Sequence, residues 1–279
     1  MNRIDEYRKK RRKAIRNRII LFTILFCVVV TGLAVASSRA ELKIDKIIVS
    51  GNRIVETKDI EDTVRQDIVG KYFRLFSRAN SFIFPEKKIQ LDLLQKYKRL
   101  LDLTLKVTDI KTLEITVSER QAKYIWCGDI FPTIDDLGAQ CYFLDDDGYV
   151  FDTSPYFSGG VYFKFYGQIH SASADKLGAH FLSNDFQRVV NFKETMENMD
   201  LKVISLEVKD DNDVYAYLSS GASIIFKLSD DFEKLAENLQ SALATEPLHT
   251  NFNKKYNSLL YIDLRFGNKV YYKFRSEIQ

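Results

Sequence analysis

Residues 1–40 constrain this chain more than any later stretch. Met1–Arg18 is basic, with nine Lys and Arg residues against Asp5 and Glu6 alone. Ile19–Ala36 follows without one charged residue, and Arg39 is the next charge. Wound as a helix at about 1.5 Å per residue, that run is close to the minimum that crosses a bilayer core. The excess of Lys and Arg ahead of it predicts a cytoplasmic N-terminus and places the chain from about Ser37 onward outside the cytoplasmic membrane. That topology argues against ATP-, NAD- and nucleic-acid-dependent activities. A cleaved signal peptide is the competing reading, because Ala34-Val35-Ala36 has the small-residue pattern of a cleavage site. The apolar run exceeds the roughly 7–15 residues of a signal h-region, so an uncleaved anchor is expected. The basic tail serves topology and contact with anionic lipid, not nucleic acid.

Composition bounds the remainder. The net charge of the 279 residues is +3. Without the basic tail the balance turns slightly negative, unlike a nucleic-acid-binding module. The portion beyond Ser37 is longer than the about 100–200 residues usual for one domain, which predicts two. Fifteen Tyr and twenty Phe against four Pro and twelve Gly describe a folded, β-leaning protein. Cys27 sits inside the apolar run as an ordinary apolar residue. Cys127 and Cys141 bracket thirteen residues containing Gly128, Pro132 and Asp135-Asp136. A disulfide closing that loop is expected outside the cytoplasm. Half of a zinc site is the alternative, with no His near in sequence.

Local patterns organise the outer chain. Leu42–Val49 reads as a strand stopped by Ser50-Gly51-Asn52. Thr57 is placed to cap a helix carrying Ile60, Val64 and Ile68, which Gly70 ends. Lys71–Phe84 is irregular and dense in Phe and Tyr. Core packing is the default for it, and a partner- or membrane-facing surface is the alternative. Pro85 opens a second helix with Ile89, Leu93, Leu94 and Tyr97 on its buried side. Leu101, Leu103, Leu105 and Val107 alternate with polar residues, as do Leu113, Ile115 and Val117. This predicts an antiparallel hairpin with one buried face. The resulting β-α-α-β-β unit is complete near Ser118. Strands are then expected at Ala122–Cys127, Cys141–Asp145, Tyr149–Asp152, Val161–Tyr166, Lys202–Val208, Val214–Leu218 and Ala222–Leu228. Gly167–His180 reads as a surface loop and Phe181–Met199 as a helix. A further helix runs from a cap at Asp230 or Asp231 through Leu243. Leu259–Arg265 and Lys269–Phe274 form a closing hairpin about Gly267-Asn268.

No catalytic constellation emerges. Ser173-Ala174-Asp175-Lys176 fits S-x-x-K, but its partner motifs S-D-N and K-T-G are missing. His170, His180 and His249 lack metal-ligand spacing. Asp145-Asp146-Asp147 lacks the alternation of a calcium loop and reads as a β-turn. Glu119-Arg120 reads as a structural contact between domains. Neither a cofactor nor a metal is expected.

Three patterns carry a resemblance. Val49-Ser50-Gly51-Asn52 ends a strand before a helix. Val117-Ser118-Glu119-Arg120 ends a hairpin and is followed by Phe143–Phe151, of sequence FLDDDGYVF. Tyr261-Ile262-Asp263-Leu264-Arg265 precedes one last strand. In this order, behind one apolar segment, the chain resembles the FtsQ/DivIB family of bacterial cell-division proteins over nearly its whole length. Ala122 stands where that family usually has proline, and the cysteine pair with its long loop is not a general family feature.

The resemblance implies an α+β protein with a cytoplasmic tail at 1–18 and a transmembrane helix at 19–37. A POTRA domain at 41–119 and an FtsQ-type, mainly antiparallel β-domain at 120–279 would follow. It implies a non-enzymatic divisome scaffold at the septum that contacts FtsB/DivIC-like and FtsL-like bitopic proteins and, through them, the septal peptidoglycan synthase. A POTRA-containing secretion or assembly chaperone is the alternative. Binding would use strand addition to a free C-terminal edge, at Phe266, Lys269, Val270, Tyr271, Tyr272, Lys273 and Phe274.

Overall fold

The computed structural model describes residues 3–132, 140–157, 160–169, 175–246 and 248–275. His170, Ser173 and the middle of the loop between Cys127 and Cys141 lie outside them. The chain divides into two compact units, 1–119 and 120–279, in a mixed α+β fold.

The first unit opens with α1 (Arg3–Ser37), one helix long and apolar enough to cross a membrane. Then come β1 (Lys46–Ser50), α2 (Thr57–Ile68), the short strands β2 (Lys71–Tyr72) and β3 (Phe76–Ser77), and α3 (Glu86–Lys96). β4 (Leu100–Asp109) and β5 (Thr112–Glu119) close it. β5 is central in a three-stranded sheet, parallel to β1 and antiparallel to β4. Ile60, Val64 and Ile68 of α2 and Ile89 and Leu93 of α3 are buried with Leu113, Ile115 and Val117. Spacings of four put those helical residues on one face each.

Three local expectations are corrected here. The first strand begins at Lys46, not Leu42. Ala40–Leu42 forms a 3₁₀ turn, and residues 42–44 spend their backbone groups elsewhere. Leu42 accepts from Ser81 N–H, and Ile44 N–H donates to Ala79. Thr57 is the first helical residue instead of the cap, and its hydroxyl receives Asn52 Nδ2–H at 3.0 Å. Leu101 lies outside the core at 52% exposure while Leu100 is buried. A bulge between Leu100 and Asp102 shifts the alternation by one residue.

Glu119 and Gly51 fix the passage from β1 to α2. The Glu119 carboxylate accepts the backbone N–H groups of Arg53, Ile54 and Val55 at 2.8–3.1 Å. Gly51 holds φ at +87°, and a Cβ there would stand 2.1 Å from Val117 O.

The second unit contains β6 (Tyr124–Trp126), β7 (Tyr142–Leu144), β8 (Val150–Thr153) and β9 (Phe163–Gly167). α4 (Phe186–Glu197), β10 (Val203–Val208), β11 (Asp213–Leu218), β12 (Ser223–Lys227) and α5 (Phe232–Ala244) follow. α6 (Leu248–Lys255), β13 (Leu259–Phe266) and β14 (Lys269–Phe274) complete it. Among its described residues, nine strands form one mostly antiparallel sheet, ordered β14-β13-β12-β11-β10-β9-β6-β7-β8. One face is buried with α4 and α5, through Phe186, Val189, Phe192, Met196, Leu235 and Leu239. Asp231 caps α5 by accepting Glu233 and Lys234 N–H. α4 starts five residues later than the sequence suggests, because Leu182 and Ser183 take positive φ and break the helical path. α6 had no counterpart in the sequence reading. His, Thr, Asn and Phe are weak helix formers, and the helix is held by buried Leu248 and by Phe252 packed on the core.

On the other face, Ile125, Cys127 and Tyr166 form a small cluster with Phe131, Cys141, Phe143 and Tyr162. Cys127 and Cys141 are disulfide-bonded there, joining the end of β6 to the start of β7. Arg120 pairs with Asp145 and lies 4.0 Å over the Tyr149 ring. Asp145 also accepts Asp147 and Tyr149 N–H, which fixes the acidic turn. Glu119 and Arg120 are thus each bonded inside their own unit.

Glu119→Gln weakens an acceptor of three amides and is expected to cost the first unit about 1–2 kcal/mol. Denaturant titration reads the cost, and amide exchange should accelerate at residues 53–55. Reduction of the disulfide, or Cys127→Ser with Cys141→Ser, should destabilise the second unit by about 3 kcal/mol in the chain-entropy model. Thermal unfolding with and without reductant measures it.

Candidate protein-interaction edge

The two ends of the nine-stranded sheet differ. At the start of β8 the chain covers its own edge. Gly178 N–H donates to Val150 O at 2.7 Å, Val150 N–H to Ala179 O at 2.9 Å, and Phe181 N–H to Gly148 O at 2.9 Å. Beyond β14, among the described residues, no strand pairs, so its outer backbone groups face solvent. A row of unpaired N–H and C=O groups is a template for another strand.

The hairpin determines which groups point out. Gly267 holds φ at +65°, and a two-residue turn links Phe266 to its partner Lys269. This is the Gly-first turn that matches strand twist. At the far end Arg275 N–H donates to Ser258 O at 2.7 Å. The bulges in this pairing add residues to β13, so β14 itself alternates regularly. Lys269, Tyr271 and Lys273 therefore turn their N–H groups toward β13. Val270, Tyr272 and Phe274 turn theirs outward.

Side chains alternate too, perpendicular to the hydrogen bonds. Val270, Tyr272 and Phe274 pack on the main core. Lys269, Tyr271 and Lys273 lie on the opposite face and are exposed. Tyr271 and Phe266 meet edge to face with ring centroids 5.0 Å apart, both about half exposed. No carboxylate is paired with Lys269 or Lys273 among the described residues, so the edge carries free positive charge beside an aromatic pair. Among the described residues no strand pairs with the outer edge of β4 in the first unit either. Its exposed positions Asp102, Thr104 and Lys106 supply mixed polarity and no aromatic ring.

Beneath the edge, β13 is pinned by charge. Arg265 Nε donates to Asp263 Oδ1 at 2.9 Å and Nη2 to Asp263 Oδ2 at 2.6 Å, while Nη1 pairs with Asp213 of β11. Both aspartates are buried. The two-point bond to Asp263, and then the bond to Asp213, raise the Arg265 pKa further, so the guanidinium is permanently charged. Farther along this face Tyr217 O–H donates to buried Glu207 at 2.6 Å, and Phe131 N–H donates to the same carboxylate at 3.0 Å. Burial first, and then the bond to Glu207, push the Tyr217 hydroxyl pKa upward.

The seven predicted interaction residues thus share one hairpin, with Phe266 on β13 and the other six on β14. The Asp263–Arg265 pair was not read from the sequence, although two opposite charges two residues apart in one strand are a local signal for it. Asp213 has no such signal, because only the fold brings it beside Arg265, two strands away. His180 packs edge to face on Tyr149, and His249 lies 3.6 Å from Glu246 in the turn that precedes its helix. Among the described residues no three His, Cys, Asp or Glu side chains are grouped to hold a metal ion. No protein-family model matches the chain, and a search of curated proteins finds no match either.

Arg265→Ala would leave Asp213 and Asp263 as uncompensated buried charges. Because the guanidinium is one-quarter exposed, the expected loss is about 3 kcal/mol, the low end for a broken buried pair. Urea unfolding measures it.

Proposed function

We propose that this chain is a non-enzymatic scaffold of the cell-division machinery of the FtsQ/DivIB type. α1 anchors it in the cytoplasmic membrane, N-terminus inside. The first unit acts as a POTRA domain, and the second docks FtsB/DivIC-like and FtsL-like bitopic proteins at the septum. Through them it helps regulate septal peptidoglycan synthesis.

The observation that carries this reading is the open β14 edge, at one end of a sheet whose other end the chain covers in part itself. Strand addition uses main-chain hydrogen bonds for affinity and side chains for selection. Tyr271 and Phe266 supply an apolar contact, and Lys269 and Lys273 favour an acidic partner strand. The single apolar N-terminal helix and the order of helices and strands in the first unit support the rest of the assignment.

Val270 separates partner pairing from sheet integrity. Its N–H faces outward, so Val270→Pro removes one donor offered to a partner and no bond to β13. Partner affinity is expected to fall about fivefold or more, the equivalent of about 1 kcal/mol, with little change in Tm. Tyr271→Pro removes a bond to β13 and should lower Tm. Titration of the anchored protein with its FtsB-like partner, alongside imaging of a fluorescent fusion at midcell, checks both. Unchanged affinity of Val270→Pro would rule out the β14 edge.

A further inference from the structure

The aromatic segment between α2 and α3 serves no role in the reading above, yet it is bonded to the end of α1. Ser77 N–H donates to Ser37 Oγ at 3.3 Å, and Asn80 Nδ2–H donates to Ser37 O at 3.1 Å. Ala34 and Ser37 are 7% and 8% exposed and Val30 is partly covered, while Leu33 and Val35 are both 57% exposed. Positions 30, 34 and 37 share one helical face, and α1 packs against β3. The first unit therefore lies along the last two turns of the apolar run, a stretch of about 10 Å.

On this same segment the apolar side chains point outward. Phe73 is 91% exposed, Phe82 74%, Val69 69%, Leu75 43% and Ile83 41%. Phe73 and Arg74 both hold positive φ, 49° and 61°, in a turn closed by Leu75 N–H to Tyr72 O at 2.9 Å. Side chains other than Gly take that conformation rarely, and here it presents a phenylalanine at a hairpin tip. Lys71 and Arg74, which flank it in sequence, are exposed. Arg78 lies 5.3 Å from the Tyr72 ring centre.

We propose that the β2–β3 hairpin is a second membrane contact, with Phe73 and its apolar neighbours immersed in the interfacial layer of the leaflet from which α1 emerges. The inference rests on α1 crossing that bilayer. If Ile19–Ala36 fills the hydrocarbon, whatever packs on Ala34 stands at headgroup depth. Aromatic rings favour that layer. Lys71 and Arg74 reach lipid phosphates while their stems stay apolar. The unit is then held to the membrane at two points.

Nitroxide labels test this in the full chain carrying Cys27→Ser, with the disulfide intact, in vesicles of phosphatidylcholine and phosphatidylglycerol. Labels go singly on Phe73→Cys, on Phe26→Cys within α1, and on Ile54→Cys, an exposed position in the loop after β1. Power saturation compares access of oxygen with access of a water-soluble nickel complex. The expected result is oxygen in excess at Phe26 and Phe73, and the reverse order at Ile54. The Ile54 order at Phe73 with oxygen in excess at Phe26 overturns the hairpin contact and leaves the anchor standing. The aqueous order at Phe26 overturns the anchor and the hairpin contact together.

Discussion

Burial of one face of the nine-stranded sheet is the interaction on which the second unit depends. Phe165, Phe181, Phe186 and Phe226 are fully buried there, and each contributes a large apolar area. Because side chains alternate along every strand, covering one face with α4 and α5 commits each strand's register. The opposite face then receives the remaining side chains whatever their polarity. Asp213 and Asp263 answer that condition by sharing the Arg265 guanidinium, and Glu207 by accepting from Tyr217 and Phe131.

Periodicity made much of the architecture legible. Leu113, Ile115 and Val117 are all buried, as their alternation indicated, and Ile60, Val64 and Ile68 are buried at helical spacing. Lys269–Phe274 is a strand with the same bounds in sequence and structure. The deviations arise where a non-local bond competes with a local pattern. Leu42 has strand-like neighbours but is drawn to Ser81. A single bulge moves Leu101 out of the core. Likewise α6 depends on tertiary contacts that its own composition does not announce.

The candidate edge was half legible. Its alternating lysines and aromatics are a local pattern. Nothing local says that residues 178–181 cover the opposite end of the sheet, which is what makes β14 distinctive. Exposed lysines on an edge also discourage pairing between two copies of the same basic strand. A docking role and protection against self-association therefore call for the same residues.

The geometry of β14 has an entropic consequence. The residues whose amides face outward, Val270, Tyr272 and Phe274, are the ones whose partly buried side chains pack against the core. A strand arriving there meets hydrogen-bonding groups that are already immobilised. On the β14 side only the exposed Lys269, Tyr271 and Lys273 side chains remain to be ordered, so affinity should respond more to how rigid the incoming segment is beforehand than to any stiffening of the β14 backbone.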